Sequence, residues 1–275
     1  MRAVSVAILV GGAGPDGNAE HRWLVGAFLE RFGERVVRIV TADPPPRPLA
    51  RRLGRALRRG DYLERLRRAR WHGGYGPDPD ALARALEREG GRPVSERMPG
   101  GGRVATVESH NGPECAALLD EAAPDVLVVY GTAILRDHLF GRARLCALNL
   151  HTGLSPWYRG DSTLFWPVHD DEPERLGVTV HRLVADVDGG DIAATARIDY
   201  RPGDTEADLF ARGVVVGTEL YLDAVEAALA GRLEFRPQDL SVGREFRWRD
   251  RTVAAERRTL ARLDEWAHRA GVPGR

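Results

Sequence analysis

The chain opens on a strand, a glycine-rich turn, a helix and a second strand, and this order constrains the fold more than any other feature. Val4 to Val10 is an apolar run of the right length for one buried strand. A helical period runs from about Glu20 to Phe32, and Val36 to Val40 repeats the strand signal. Two strands joined through a crossover helix lie parallel. Parallel strands need both faces covered. Val126 to Tyr130, Cys146 to Leu150 and Val178 to Val184 supply further strands. The expected fold class is α/β: a mostly parallel twisted sheet with helices on both faces. Residues 1–232 are expected to form the catalytic domain and 233–275 a short C-terminal extension.

The first turn holds Gly12, Gly14 and Gly17, which spell the G-x-G-x-x-G spacing of dinucleotide-binding loops. Asp43 stands beyond the second strand, where a ribose-binding acid would be. Two features weigh against that reading. Pro15 and the stretch to Ala19 separate the last glycine from the helix, so it need not pack helix on strand. Asp43 also falls later than the usual ~20 residues. A substrate phosphate or carboxylate at this helix N-terminus is the better expectation, because free N–H groups and the helix dipole favour anions.

Asn149 and His151 stand two residues apart near the end of the Cys146–Leu150 strand. Alternation puts both side chains on one face, at the sheet end where parallel strands present their sites. The Asp186-Val187-Asp188-Gly189-Gly190-Asp191 loop lies near them if the two strands are neighbours. Amide, imidazole and carboxylate form a working set for acyl transfer to an amine. A protonated His151 donates to a developing oxyanion, and Asn149 adds a second hydrogen bond. Asp188 holds the imidazole charged or carries the amine proton away. One oxyanion donor is worth roughly 10²–10³ in rate, and a positioned acid or base about 10²–10⁴. No Ser or Cys sits in a nucleophile motif, so the attacking group is expected to belong to the substrate. Singly, each residue also has a bland reading, such as a strand-end histidine or an Asp-Gly-Gly turn.

Five blocks in order carry a resemblance. They are Asn149-Leu150-His151, Leu154-Ser155-Pro156, Tyr158-Arg159-Gly160, Gly177-Val178-Thr179-Val180-His181 and Asp188-Gly189-Gly190-Asp191-Ile192. Together they resemble the signature of the N10-formyltetrahydrofolate-dependent formyltransferases, which act on methionyl-tRNA, glycinamide ribonucleotide or amino sugars. The similarity covers about Asp125 to Tyr200. It implies a Rossmann-like catalytic domain (the formyltransferase fold), N10-formyltetrahydrofolate as the donor and no metal. It places catalysis on Asn149, His151 and Asp188. Tyr130, Gly131, Thr132, Ile134 and Leu135 resemble the family's folate wall. Leu154, Ser155 and Pro156 resemble the loop packed near the formyl donor.

The rest of the chain narrows the acceptor. The glycinamide ribonucleotide enzymes' Gly-Asn-Gly-Ser-Asn phosphate loop is replaced by the longer Gly11–Ala19 segment. The tail is read as too short for the folded C-terminal module of methionyl-tRNA enzymes. Net charge is zero, which gives no whole-chain case for nucleic acid. All 40 Lys+Arg residues are Arg, which excludes lysine nucleophiles. Two cysteines, Cys115 and Cys146, make neither a disulfide framework nor a metal site. No apolar stretch is long enough for a membrane span, and a cytoplasmic protein is expected.

Leu49 to Arg70 is Arg-rich, split at Gly60-Asp61 with Asp61 as a cap. It is read either as an amphipathic helix covering the sheet through Leu53, Leu57, Leu63 and Leu66, or as a basic wall for an anionic substrate. Asn111 is expected to cap a helix from Pro113. Ser162 to His169 is read as one helix. A strand is expected to end at Ile198–Tyr200, followed by one helix to Arg212 and another over Val214–Ala230. Phe235 to Trp248 reads as irregular or short strands offered to a second copy in a homodimer, and Arg251 to Ala270 as an amphipathic helix. The expected reaction is formyl transfer to a small-molecule amine, first a nucleotide-linked amino sugar or specialised-metabolite amine, with glycinamide ribonucleotide or methionyl-tRNA as alternatives. A nicotinamide-dependent oxidoreductase or a non-catalytic nucleotide binder is the alternative of another class.

Overall fold

The computed structural model describes residues 4–11, 14–45, 62–71 and 78–271. Gly12, the first part of the Leu49–Arg70 segment with Asp61, and the 72–77 part of the Trp71 loop lie outside these. In chain order the elements are β1 (Val6–Val10), α1 (Ala19–Phe32), β2 (Val36–Ala42), α2 (Tyr62–Arg70), α3 (Pro79–Gly90), β3 (Val104–Val107), α4 (Pro113–Ala122), β4 (Val126–Tyr130) and α5 (Asp137–Phe140). There follow β5 (Cys146–His151), β6 (Tyr158–Gly160), α6 (Phe165–His169), β7 (Gly177–Arg182), β8 (Ile192–Arg197), α7 (Glu206–Leu229), β9 (Arg244–Phe246) and α8 (Val253–Arg269).

Among the described residues the main sheet has seven strands in the order β3-β2-β1-β4-β5-β7-β8. The pairs from β3 to β5 are parallel, as expected. Beyond β5 the polarity reverses, and β7 pairs antiparallel with both β5 and β8. A small parallel pair, β6 with β9, joins the C-terminal segment to the turn after β5. The sheet is covered on both faces. Val6, Ile8, Val128, Leu148 and Leu150 pack toward α1, α3 and α7. Ala7, Leu9, Leu127, Val129 and Ala147 pack toward Cys115, Ala116 and Leu119 of α4. On that second face the β5 side chains run Ala147, Asn149, His151, so the apolar cover gives way to polar groups as the strand leaves the core.

Several local expectations give way to packing. The region after Thr205 is one helix, not two. Thr205 caps it, accepting from the Asp208 N–H while the Asp208 carboxylate accepts from the Thr205 N–H. Gly213 does not break it. A Cβ there would stand 2.5 Å from Leu164 Cδ1, so glycine is kept for close approach. The strand ends at Arg197 rather than near Tyr200, and Ser162 and Thr163 precede α6. The N-cap of α4 is Gly112. Asn111 instead donates to the Ile134 carbonyl (2.9 Å) and accepts from the Arg136 N–H (2.8 Å), which ties down the loop after β4. On α2 the leucines do not cover the sheet, since Leu63 and Leu66 are exposed. Phe246 is buried beside Tyr158 and Trp166, and Phe235 packs, partly buried, on the core, while Trp248 is exposed. Among the described residues, no helix is long and apolar enough to cross a membrane.

Two buried imidazoles predict a pH dependence of stability. His21 accepts the Asn18 N–H at Nδ1, and His110 sits against the Val40 carbonyl. Burial pushes both below the ordinary histidine value. The unfolded chain therefore binds more protons as pH falls through about 6.5, so stability declines on acidification by up to about 1.4 kcal/mol per pH unit for each group. Denaturant unfolding from pH 7.5 to 5.5 is expected to show this decline, with a shallower slope in His21→Gln. An identical slope in that variant would remove His21 from the account.

Candidate active site

The reversal at β7 builds the site. Antiparallel pairing sets Asn149 opposite His181 and His151 opposite Thr179. The chain then returns through the 183–190 loop, with the Leu183 N–H on the Ala147 carbonyl. That return carries Asp188 back over Asn149 and His151. A Cβ on Gly190 would lie 1.8 Å from the Arg182 carbonyl oxygen, so only glycine lets the loop close this tightly. Asp188 takes a left-handed conformation, φ 47°. This backbone region is uncommon for a residue with a Cβ and points to an imposed geometry.

Four groups meet the Asp188 carboxylate. Its Oδ2 accepts the Gly160 N–H (2.9 Å) and lies 3.3 Å from His151 Nδ1. Its Oδ1 faces His181 Nε2 at 3.3 Å and Asn149 Nδ2 at 3.4 Å. Burial alone would push this carboxyl up. The His151 charge, then the His181 and Gly160 contacts, outweigh it and hold the group well below the usual carboxylate range. His151 Nε2 donates to the Tyr158 carbonyl (2.8 Å), which puts a proton on that nitrogen. Its Nδ1 faces the Asp188 carboxylate, which makes an ion pair when the imidazole carries both protons. His181 Nδ1 donates to the Arg182 carbonyl (2.8 Å), and its Nε2 lies 3.1 Å from Asn149 Nδ2. His151 and His181 are both almost wholly buried.

A cavity of about 1160 Å³ opens over this cluster. Single-ligand pockets commonly span ~300–1,000 Å³, so there is room for two reactants. Its lining includes Tyr130 at the end of β4 and Gly131, Thr132, Ile134 and Leu135 of the loop that follows, with Val184 to Asp188. It also includes Asp161 to Thr163, Glu64 and Arg68 of α2, and Arg247, Trp248, Arg249 and Thr252. The side chains of α2 thus join the basic-wall reading rather than the sheet-covering one.

Asn149, His151 and Asp188 are brought together as their spacing suggested, and the five residues of the β4 loop line the cavity. Leu154, Ser155 and Pro156 do not. Ser155 is buried, with its N–H on Thr179 Oγ1 (3.0 Å), and it holds the turn beneath His151. The glycine-loop expectation is not supported either. Gly14 and Gly17 close a turn ahead of α1, and Gly17 packs against the Gly11 carbonyl at the end of β1, Met98 and His21. The first turn of α1 holds the buried carboxylate of Glu20, which repels an anion there. His181 was quoted only as part of a motif. Its site role was readable from the alternation Thr179, His181, given antiparallel pairing with β5. Tyr158 and Gly160 stand in one of the blocks that carry the resemblance, but the roles of their backbone carbonyl and N–H come only from the tertiary structure, and Gln238 has no sequence signal.

Comparison with known proteins agrees with this geometry. The Formyl transferase family model matches residues 77–225. The methionyl-tRNA formyltransferase of Thermotoga maritima is 34% identical over 136 residues, 49% of this chain and 43% of the relative. That of Limosilactobacillus fermentum is 31% identical over 175 residues, 60% of this chain and 55% of the relative. The chain thus spans about half the length of the curated relatives it matches. In fold it is similar to the N-formyltransferase of Helicobacter canadensis, crystallised with folinic acid and dTDP-3-aminofucose (TM-score 0.55, 13% identity, covering 99% of this chain and 84% of that one). It is also similar to a glycinamide ribonucleotide transformylase of Symbiobacterium toebii (TM-score 0.52, 20% identity, 86% of this chain and 95% of that one). Since the matched segment covers more than half of the chain, and every side chain meeting the Asp188 carboxylate lies within it, this chain belongs to the formyl transferase family.

Proposed function

We propose that the protein transfers a formyl group from N10-formyltetrahydrofolate to the amine of a small molecule, first of all a nucleotide-linked amino sugar. The convergence of Asn149, His151 and Asp188 at one cavity carries this reading. The donor fits the wall formed by Tyr130 to Leu135, where the exposed Gly131, Ala133 and Ile134 offer backbone and an apolar face to a flat ring. When bound, it supplies the electrophilic formyl carbon. Asn149 commits one amide hydrogen toward His181 or Asp188 and has a second for the formyl oxygen. His151 Nε2 is engaged by the Tyr158 carbonyl and Nδ1 faces Asp188, so in its protonated form His151 contributes chiefly its positive charge beside that oxygen. Asp188, held well below the usual carboxylate range, is a weak base. It acts as the counter-ion that keeps His151 charged; the amine forms its bond to the formyl carbon, the bond from that carbon to N10 breaks, and the proton the amine loses ends on N10 of the departing tetrahydrofolate.

The Arg68, Arg247, Trp248 and Arg249 part of the lining suits an acceptor with a planar ring and phosphates. Trp248 is half exposed, with the Arg68 guanidinium 5.3 Å from its ring centre. Arg247 and Arg249 stand beside it. The Helicobacter relative binds a nucleotide-linked amino sugar, which supports the same class here. Methionyl-tRNA, the acceptor named by the curated relatives, and glycinamide ribonucleotide are the alternatives.

Thermal unfolding with 5-formyltetrahydrofolate, and with NADH in parallel, tests the donor. Ligand at about 100 times its Kd adds roughly 2.7 kcal/mol, a shift of about 5 °C for a chain of this size. A shift with NADH alone would overturn the reading. Formylation of dTDP- and UDP-linked amino sugars, glycinamide ribonucleotide and methionyl-tRNA then separates the acceptors. With a nucleotide-linked amine, Arg249→Ala is expected to raise acceptor KM with little change in kcat.

A further inference from the structure

We infer that Gln238, from the segment after α7, is a positioning residue that sets the catalytic carboxylate. Its Nε2 donates to the Asp188 carbonyl at 3.0 Å and also to the Gly190 carbonyl. These two carbonyls bracket the turn that returns Asp188 to the site. Asp188 itself stands at φ 47°, a left-handed conformation that is uncommon for residues with a Cβ and that Asp adopts more readily than most. The carboxylate end is fixed by the Gly160 N–H, and the backbone end by Gln238. The residue is thus gripped from both sides, and the geometry of all four carboxylate contacts depends on the backbone grip. The other end of the side chain, Oε1, is buried with no hydrogen-bond partner among the described residues.

The placement of Gln238 is itself secured on the chain around it. Arg236 and Ile192 exchange both backbone hydrogen bonds at 2.8 Å, which docks the segment on the end of β8 next to the loop. Further on, β9 pairs with β6, the strand that supplies the Gly160 N–H. One segment therefore supports both halves of the grip on Asp188. The residues after 232, expected as an extension, act as part of the catalytic unit. The catalytic consequence rests on the formyl-transfer reading. The grip itself does not.

The full chain is tested as Gln238→Ala and Gln238→Glu. In the second variant an acceptor of the same shape faces two carbonyls and pushes the loop away, so its effect is expected to be the larger. The first readout is independent of activity. With ¹³C-carboxyl-labelled aspartate, Asp188 of the wild type is expected to titrate below the other aspartates. In both variants its titration moves up toward the ordinary value of about 3.9, as its partners are lost. The second readout is formyl transfer from 10-formyltetrahydrofolate to hydroxylamine, a surrogate amine that needs no acceptor recognition. Here kcat is expected to fall about 10²-fold in Gln238→Glu, with donor KM within about twofold, as for a catalytic group misplaced by ~1 Å. An unchanged Asp188 titration in both variants overturns the inference. So does a kcat that stays at the wild-type value per folded molecule while only the melting temperature falls. No transfer by the wild type, with the Asp188 titration still moved by the variants, would sink the formyl-transfer reading and leave the grip standing.

Discussion

A His151→Gln variant is expected to lose about 10²–10³-fold in kcat, the range seen when one group stabilising an oxyanion is removed. Glutamine keeps a donor for the Tyr158 carbonyl and enough length to reach it, but it carries no charge. The substitution therefore separates the hydrogen bond from the electrostatic contribution. His151 is 5% exposed, and its Nδ1 lies 3.3 Å from the Asp188 carboxylate. In so dry a setting a fixed charge beside a developing negative oxygen is worth far more than in water. The same substitution leaves Asp188 with His181, the Gly160 N–H and Asn149, so the carboxylate is not stranded. A loss of up to about 3 kcal/mol in stability is expected, at the low end for a buried pair that loses one partner. The check is kcat per folded molecule at 25 °C with hydroxylamine or the acceptor found by the screen. A value within threefold of wild type would show that the charge of His151 plays no part in the reaction.

Much of this arrangement was legible before the structure because it is local. The parallel half of the sheet follows from apolar runs joined by helices. Asn149 and His151 share a face because strand side chains alternate. What the sequence did not disclose is long-range. The reversal at β7 puts His181 across from Asn149, and periodicity within one strand carries no sign of its partner's direction. Asn111 has the composition of a cap, yet its amide serves the loop after β4. Gly213 has the composition of a helix end, yet it lets Leu164 approach. Gln238 is 50 residues from Asp188, in a stretch with no periodic signal at all. In each case a tertiary contact outweighs a local preference of at most about 1 kcal/mol.

The same contrast explains where the family resemblance was informative and where it was not. Blocks that supply Asn149, His151 and Asp188 lie in one contiguous segment, and the structure brings these side chains together. The Leu154–Pro156 block lies in that segment too, but its side chains support the turn under His151 instead of lining the cavity. Membership of a motif therefore does not assign a residue to the ligand surface. Burial and hydrogen-bond partners do.

Asp188→Asn is expected to lower kcat by up to about 10²–10³-fold, the range for losing one electrostatic contribution to the oxyanion. The replacement is nearly isosteric. Its amide oxygen can take the place of Oδ2, accepting from the Gly160 N–H and His151, while its NH₂ donates to an unprotonated His181 Nε2. The loop is thus expected to keep its course, and only the negative charge is lost. Without that charge the positive form of His151 loses its counter-ion, and the electrostatic contribution goes with it. Stability gives a second, independent signature. The Asp188 carboxyl is held well below its unfolded value of about 3.9, so in the acid range the unfolded chain binds the extra proton. Its contribution is present above that value and is lost as pH falls toward the depressed one. Acid unfolding of Asp188→Asn between pH 5 and 2 should therefore show a shallower fall than the wild type. A normal kcat together with the shallower fall would make Asp188 a structural counter-ion and move the chemistry onto Asn149. A normal kcat with an unchanged acid limb would remove the buried carboxylate from both roles.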